Sequence, residues 1–332
     1  MLRFLRPARR HRCPRLDGAL RLALFLLLVT AAGCGRAPGE APPTQIVIAV
    51  GATDGVFQTV GDALAAAYNR VPGIHARTLH SFDSQTSAEA IERAEVDLAL
   101  EGARTSYLAY RRGTPAYQAP HASLRAMAVL FPTVVHVIAR RQSGIRTVAD
   151  LRGRRVFVGA ERSPTEAASR VVLESYGLTF RDIQPVFDRD HVVDEFRSGQ
   201  IDGIIVFYPM EHVLAATMMG VDGAVLIPMD ADVMEPIRSR DPLLRPASIP
   251  KATYPGQSEA VLTVGTDVLL VARKGLPEDL VYTLTKTLFE SADDLSRAHR
   301  AARYIDPDRA PEAPIPLHRG AARYYREREL FR

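Results

Sequence analysis

Two loops, each just before a predicted helix, could offer backbone N–H groups to an anion. The first covers residues 51–57, where Gly55 permits the close approach of a ligand and Thr53 or Asp54 could cap the helix. The N–H groups and the dipole at a helix N-terminus both favour negative charge. We therefore predict that Thr53, Asp54, Gly55 and Phe57 contact a ligand.

The second loop covers residues 159–167 and contains Ser163, Pro164, Thr165 and Glu166. A serine followed three residues later by a glutamate is the pattern of a capping box, and proline suits the first helical position. Capping of the helix would account for these side chains as well as contact with a ligand would. The N–H groups of the same turn could still meet a ligand, so Ser163 and Thr165 are candidate ligand-binding residues.

Enzyme motifs do not occur in the sequence. The nine histidines show no metal-ligand spacing such as His-Glu-x-x-His, and neither Gly-x-Ser-x-Gly nor a Walker loop is found. No pair of acidic residues is assigned by its sequence position to general acid and general base roles. We therefore predict a protein that is not an enzyme and that uses no cofactor and no metal.

The first 33 residues have the composition of an export signal. An apolar run at residues 20–30 follows an arginine-rich head, and it is shorter than the about 20 residues that cross a bilayer. Three small residues then precede Cys34, which is similar to the lipobox of bacterial lipoproteins. We predict a signal peptide at residues 1–33, a lipid anchor on Cys34, a flexible tether at residues 34–45 and a location on the periplasmic or cell-surface side of the membrane. An ordinary cleaved secretion signal is the alternative.

Without that leader the charge of the chain changes sign. Residues 34–332 carry 35 basic and 37 acidic residues, so the high isoelectric point of the whole chain comes from the leader. A basic footprint for nucleic acid is not present. Cys34 is the only cysteine of residues 34–332, which excludes a disulfide within one such chain and a cysteine-rich zinc site.

The part of the chain after residue 45 alternates between strand and helix patterns. Residues 46–50 are an unbroken apolar run, and Val56, Val60 and Leu64 then recur at helical spacing. Further strands are predicted at residues 96–100, 134–139, 155–158, 201–207, 224–228 and 261–271. This alternation predicts an α/β fold. The segments 88–100 and 193–206 repeat one plan of helix, turn and strand, as two similar lobes would.

Several long segments resemble one family. They are Leu-Arg-Ala-Met-Ala at 124–128 with Phe-Pro at 131–132, Ala-Asp-Leu-Arg-Gly at 149–153, Thr-Tyr-Pro-Gly-Gln at 253–257, Leu-Pro-Glu-Asp-Leu at 276–280 and Gly-Ala-Ala-Arg-Tyr-Tyr at 320–325. Their order and spacing are similar to those of the TAXI family, the substrate-binding components associated with TRAP transporters. The resemblance extends over residues 46–326.

The resemblance implies a type II periplasmic-binding-protein fold, in which two crossing strands join two lobes around a central cleft. We expect the crossings near residues 131–135 and 271–275. Lobe 1 would then comprise residues 46–132 plus 275–332, and lobe 2 residues 133–274. An apolar stripe at Leu280, Val281, Leu284, Leu288 and Phe289 would face the core of lobe 1.

The same resemblance adds candidate ligand contacts. Ser84 and Ser87 align with a serine-containing loop of the family that contacts ligand. The segment from Glu101 to Arg104 departs most clearly from the family, which commonly has a Gln-Ser-Asp type string at residues 102–104. Arg104 could pair with a ligand carboxylate or with a nearby acidic side chain. Further candidates, for which burial in a core is the commoner outcome, are His136, Phe207 and Tyr208.

The family also implies a function. We expect an extracytoplasmic receptor that captures a small organic acid, such as a dicarboxylate or a glutamate-like molecule, and delivers it to the membrane subunits of a TRAP-type secondary transporter. One alternative is a ligand-sensing lipoprotein that reports to a membrane histidine kinase. Another is an enzyme on the same fold.

Overall fold

Strands and helices alternate along the chain as the apolar pattern predicts. The computed structural model describes residues 43–51, 55–82 and 84–329. The predictions for the leader, for Cys34 and for Thr53 and Asp54 lie outside the described residues. The strands are β1 (Thr44–Gly51), β2 (Ile74–Phe82), β3 (Leu98–Gly102), β4 (Leu124–Arg140), β5 (Arg155–Phe157), β6 (Gln184–Val186), β7 (Gly203–Pro209), β8 (Ala224–Leu226), β9 (Arg245–Ile249) and β10 (Val261–Arg273). The helices are α1 (Val56–Tyr68), α2 (Ser84–Glu92), α3 (Ala103–Arg112), α4 (Pro164–Ser175), α5 (Val192–Ser198), α6 (Val213–Met219), α7 (Met234–Arg240), α8 (Glu278–Glu290), α9 (Ala292–Ala298) and α10 (Arg319–Glu327).

The strands of the described residues form one mixed sheet with two parallel halves. Its order is β2-β1-β3-β10-β4-β7-β5-β6, with β8 added beside β4 and β9 beside β10. Strands β1, β2 and β3 are parallel in one half, and β5, β6 and β7 are parallel in the other. The two central strands run antiparallel to their neighbours. The fold is therefore the predicted two-lobed α/β architecture.

The central strands change partners where they pass between the lobes. Strand β4 pairs with β10 up to Val134 and with β7 from Thr133 onwards, which is within the predicted crossing. Strand β10 pairs with β9 up to Gly265 and with β3 from Val268. The second crossing therefore lies before the predicted residues 271–275. The apolar run of β10 is buried along almost its whole length, so its sequence carries no signal of the change.

The repeated helix, turn and strand plan corresponds to equivalent places in the two lobes. The Asp97 carboxylate accepts a hydrogen bond from the backbone N–H of Val47 at 3.0 Å, at the start of β3. The Asp202 carboxylate accepts one from the N–H of Arg155 at 3.1 Å, at the start of β7. Each aspartate thus holds its strand to the neighbouring parallel strand, and this shared role accounts for the repeat.

Helices cover both faces of the sheet in each lobe. In lobe 1, α1, α8 and α10 bury their apolar side chains on one face, and α2 and α3 cover the other. In lobe 2, α4 and α7 lie on one face and α5 and α6 on the other. Val281, Leu284 and Leu288 of α8 are fully buried, and Leu280 and Phe289 pack against them, as predicted.

The sequence pattern did not predict three of the strands, β2, β6 and β9. Each lies at an edge of the sheet, where only one neighbouring strand pairs with it. Edge strands carry more polar residues than strands that are covered on both faces, so they do not produce the apolar runs by which the buried strands were found.

Gly265 permits the close approach of the two crossing strands. A Cβ atom at this position would lie 2.5 Å from the carbonyl oxygen of Thr133 and 2.9 Å from Val134 Cγ1. We expect Gly265→Ala to push β4 and β10 apart and to lower the free energy of unfolding by about 2 kcal/mol, as overpacked cores do. Urea-induced unfolding measures this loss. Gly275→Ala is the matched control, because its Cβ would meet only the flexible end of Arg273; equal effects of the two changes would refute the explanation.

Candidate functional site

A cavity of about 280 Å³ lies between the lobes, at the carboxyl ends of the strands. Lobe 1 contributes the start of α1 and of α3, lobe 2 contributes the loop before α4 and the end of β7, and the crossing strands contribute Thr133 and Thr266. The residues that line it include Phe57, Gly102, Arg104, Thr105, Gly159, Arg162, Ser163, Thr165, Arg189, Phe207, Tyr208 and Asp241. Ligand sites of α/β proteins commonly occupy this edge of the sheet.

The loop before α4 packs tightly against its own helix. Gly159 has φ of 92°, and a Cβ atom there would lie 2.6 Å from the side chain of Thr165. The Thr165 hydroxyl in turn accepts a hydrogen bond from the backbone N–H of Phe207 at 3.4 Å. The loop is therefore held to the end of β7, so that both present residues to the cavity.

Ser163 caps α4, as the sequence predicts. Its hydroxyl oxygen accepts a hydrogen bond from the backbone N–H of Glu166 at 3.1 Å. The Glu166 carboxylate accepts one from the N–H of Arg162 at 2.7 Å, one residue before the serine. Arg162 has φ of 61°, an unusual conformation for a residue with a side chain. The cap thus orders a backbone turn that carries Arg162 on the rim of the cavity.

Removal of the Ser163 hydroxyl tests the cap. We expect Ser163→Ala to lower the free energy of unfolding by about 1 kcal/mol, because the Glu166 N–H loses its partner. Chemical unfolding monitored by circular dichroism measures the change. Ser198→Ala, at the last residue of α5 and exposed, is the control and should be close to neutral. An unchanged unfolding midpoint for Ser163→Ala would contradict the assignment.

The charges of the cavity are unevenly paired. Arg104 of lobe 1 forms an ion pair with Asp241 of lobe 2, whose carboxylate also accepts the N–H of Leu243 at 3.2 Å. Arg162 and Arg189, both from lobe 2, form no ion pair with any residue of the described ranges. The guanidinium of Arg189 lies 5.8 Å from the centre of the Tyr208 ring. The described residues that line the cavity therefore carry an excess of positive charge.

The structure brings together six of the predicted ligand-binding residues. The lining includes Phe57, Arg104, Ser163, Thr165, Phe207 and Tyr208. Gly55 lies just before α1 with φ of 79°, outside this lining. Ser84 begins α2. Ser87 is completely buried, and no described residue bonds its hydroxyl.

Glu101 is buried beneath the cavity and does not line it. Its cross-strand neighbour is Leu269, which belongs to the apolar cluster under α2 and α3. The Ser106 hydroxyl donates to one carboxyl oxygen at 2.7 Å, and the other oxygen has no partner among the described residues. Burial raises the pKa of Glu101 to about 8. The expectation that Glu101 contacts the ligand is not supported by this position.

His136 also lies away from the cavity. Its Nε2 atom is 2.8 Å from the Tyr254 hydroxyl oxygen, in the cluster under α5 and α6. Burial, together with the nearby His212, lowers the pKa of His136 to about 3, so the ring is neutral. Alternation along β4 explains the error, because Thr133 and Val135 face the opposite side of the sheet from His136.

Several residues that line the cavity were not predicted from the sequence. Arg162 belongs to the loop at residues 159–167 that was predicted to meet a ligand, but it was not chosen as a contact. Arg189 and Asp241 follow β6 and α7 in segments without a motif, and Thr133 and Thr266 sit inside long strands. Only the tertiary arrangement assigns these residues to one site.

Within the residues that the structure describes, no cluster of three or more histidine, cysteine or acidic side chains has the arrangement of a metal site. A search of the same residues for a helix that is long and apolar enough to cross a membrane also found none.

Several solved structures are similar to this one. PhnD1 from Prochlorococcus marinus (MIT 9301) in complex with methylphosphonate has a TM-score of 0.53 and 12% sequence identity, covering 87% of this chain and 100% of that chain. XAC2383 from Xanthomonas citri bound to chloride ion has a TM-score of 0.50 and 13% identity, covering 85% and 99%. The periplasmic aliphatic sulphonate binding protein SsuA from Escherichia coli has a TM-score of 0.45 and 17% identity, covering 77% and 74%.

At these identities the likeness shows the fold alone, which is of the periplasmic-binding-protein type. Sequence comparison adds the family. The model of the NMT1-like family matches residues 48–328, which include both lobes and the residues that line the cavity. The chain therefore belongs to the NMT1-like family.

Proposed function

We propose that this protein is a solute-binding receptor that captures a small organic anion between its two lobes. The observation that carries the proposal is the pair of unpaired guanidinium groups, Arg162 and Arg189, at a cavity between the lobes. An arginine can donate two parallel hydrogen bonds to a carboxylate, a sulfonate or a phosphonate. Binding of an anion there would neutralise charge that the described residues leave unbalanced.

The donors around the arginines suit the same ligand. Thr105, Thr133 and Thr266 line the cavity from lobe 1 and from the crossing strands, and each carries a hydroxyl group. A ligand that enters the cleft loses water, and such neutral donors replace part of its hydration. Donors from both lobes would favour the closed arrangement when ligand is bound.

We further propose delivery to a membrane transporter of the TRAP type. The resemblance of the segments between residues 124 and 325 to the TAXI family supports this destination. The arginine-rich leader and Cys34 support a position outside the cytoplasmic membrane, held by a lipid anchor. An organic acid is the first class of ligand to test, and the methylphosphonate bound by PhnD1 makes phosphonates and sulfonates reasonable additions to the screen.

A thermal-shift screen tests the binding function. The domain beginning at Thr44 is mixed with separate sets of carboxylates, sulfonates, phosphonates, sugars and cationic amines. We expect anions to raise the melting temperature, because a ligand of the folded state stabilises it by mass action. A shift by sugars or amines, with none from any anion, would reject the proposal.

A further inference from the structure

The two lobes contribute unequally to the charge of the cavity. Lobe 2 supplies Arg162 and Arg189, and neither is neutralised by a described residue. Among the described residues that line the cavity, lobe 1 supplies a single cation, Arg104. This side chain already forms an ion pair with Asp241. The remaining lobe 1 groups at the cavity are the Phe57 ring, the Gly102 backbone and the Thr105 hydroxyl. Among the described residues that line the cavity, the cations that are free for an anion therefore come from lobe 2.

The two short internal segments outside the described ranges cannot add a cation to the cavity. They are residues 52–54, which read Ala-Thr-Asp, and residue 83, which is an aspartate. Neither segment contains a lysine or an arginine. No additional cation can therefore come from them, whatever their conformation.

Asp241 disfavours the binding of a second anionic group of the ligand beside Arg104. The residue is only 7% exposed, and its carboxylate is held by Arg104 and by the N–H of Leu243. A ligand carboxylate could engage Arg104 only by sharing it with Asp241 or by displacing Asp241. Either outcome leaves a buried negative charge with fewer partners, which is strongly unfavourable.

Aromatic and aliphatic side chains form much of the remaining surface. Phe57 lies on the lobe 1 side, Phe207 and Tyr208 lie on the lobe 2 side, and Leu244 closes the wall beside Asp241. Burial of apolar ligand surface against these side chains makes the free energy of binding more favourable. The same side chains give little compensation for a polar group that loses its water.

We infer that the ligand is an organic monoanion with an apolar body, and not a dicarboxylate. Its anionic group would meet Arg162 and Arg189, and its body would lie against the rings and face lobe 1. The cavity volume of about 280 Å³ is near the lower end for small-molecule sites, which favours a compact metabolite. This inference rests on the proposed binding of an anion and narrows its class.

Matched acids test the inference directly. Isothermal titration with hexanoate and adipate compares one and two carboxylates on the same carbon chain, and benzoate and terephthalate make the same comparison on a ring. We expect each monoacid to bind at least about tenfold more tightly than its diacid, since an uncompensated carboxylate costs more than about 1.4 kcal/mol. Hexanamide tests the need for the charge and should bind weakly.

Asp241→Asn provides a second, independent readout. The amide removes the negative charge and releases Arg104 as a cation for the ligand. We expect the variant to bind adipate more tightly relative to hexanoate than the natural protein does, by about tenfold. Its thermal unfolding curve establishes that it is folded, and the comparison on the natural protein does not depend on this variant.

The outcomes separate the two proposals. Tighter binding of the monoacids, together with the shift in Asp241→Asn, supports the inference. Equal or tighter binding of the diacids overturns it and leaves the anion-binding function intact. No binding of any of the four acids at millimolar concentration overturns the inference, and if sulfonates and phosphonates also fail, it overturns the proposed function too.

Discussion

Replacement of Glu101 by glutamine is expected to stabilise the protein by about 3 kcal/mol at pH 7. The carboxyl group is completely buried, and its only hydrogen-bond partner among the described residues is the Ser106 hydroxyl. Burial raises its pKa from 4.5 to about 8, because the hydrogen bond from Ser106 compensates only part of the loss of water around the charged form. A neutral amide of the same shape avoids that cost.

The direction of the pH dependence follows from the two states of the chain. Below pH 4.5 the carboxyl group is protonated in both the folded and the unfolded protein, and Glu101 imposes no penalty. As pH rises from 4.5 towards 8, the unfolded chain releases the proton while the folded chain keeps it. Stability relative to the glutamine variant is therefore lost progressively over this range and changes no further above it.

Unfolding in urea at a series of pH values between 4.5 and 9 measures this effect. The difference between Glu101→Gln and the natural protein isolates residue 101, because contributions of other groups, such as the buried His136, cancel. Glu290→Gln is the control: its side chain is 57% exposed and should change stability by less than about 0.5 kcal/mol at every pH. A destabilised or unchanged Glu101→Gln protein at pH 8 would show that the carboxyl group is not held neutral.

Loss of the unpaired cleft arginines is expected to have the largest effect on binding. We expect Arg189→Gln to weaken the binding of hexanoate by about 30-fold and Arg162→Gln by about tenfold, the range of charge-assisted hydrogen bonds. Arg189 is half-buried and Arg162 is exposed, so solvent screens Arg162 more strongly. Glutamine retains part of the stem that packs near Tyr208, which limits the change to the charge.

Isothermal titration at low and at high salt measures both effects. The natural protein should bind hexanoate less tightly as salt rises, and the doubly substituted protein should show little salt dependence. Arg181→Gln is the matched control, since Arg181 is an exposed arginine of the same lobe that does not line the cavity. Unchanged affinity in both single variants and in the double variant would place the anion elsewhere.

The architecture was largely predictable because it depends on local periodicity. Val56, Val60 and Leu64 of α1 and Val281, Leu284 and Leu288 of α8 were recognised at helical spacing and are buried. Unbroken apolar runs likewise revealed the strands that are covered on both faces. The exported, lipid-anchored state also follows from local sequence, and it stays a prediction because its residues lie outside those described.

The set of residues that line the cavity was much less predictable from the sequence. The loop before α4 was found because glycine, serine and proline have distinctive local roles there. Glu101 was misplaced because a change of one residue along a strand exchanges the two faces of the sheet: Gly102 lines the cavity, whereas Glu101 lies under α3. His136 was misplaced by the same alternation on β4.

By itself the sequence determined the alternation of strands and helices and the helix cap at Ser163, and its resemblance to a known family supplied the two-lobed plan. The tertiary structure alone decided which charges meet. Arg104, Arg162, Arg189 and Asp241 lie in four separate loops or helix ends, and they come together because both lobes place the carboxyl ends of their strands at one cleft. Pairing between Arg104 and Asp241 crosses that cleft, and no local pattern can encode a contact between residues so far apart in the chain.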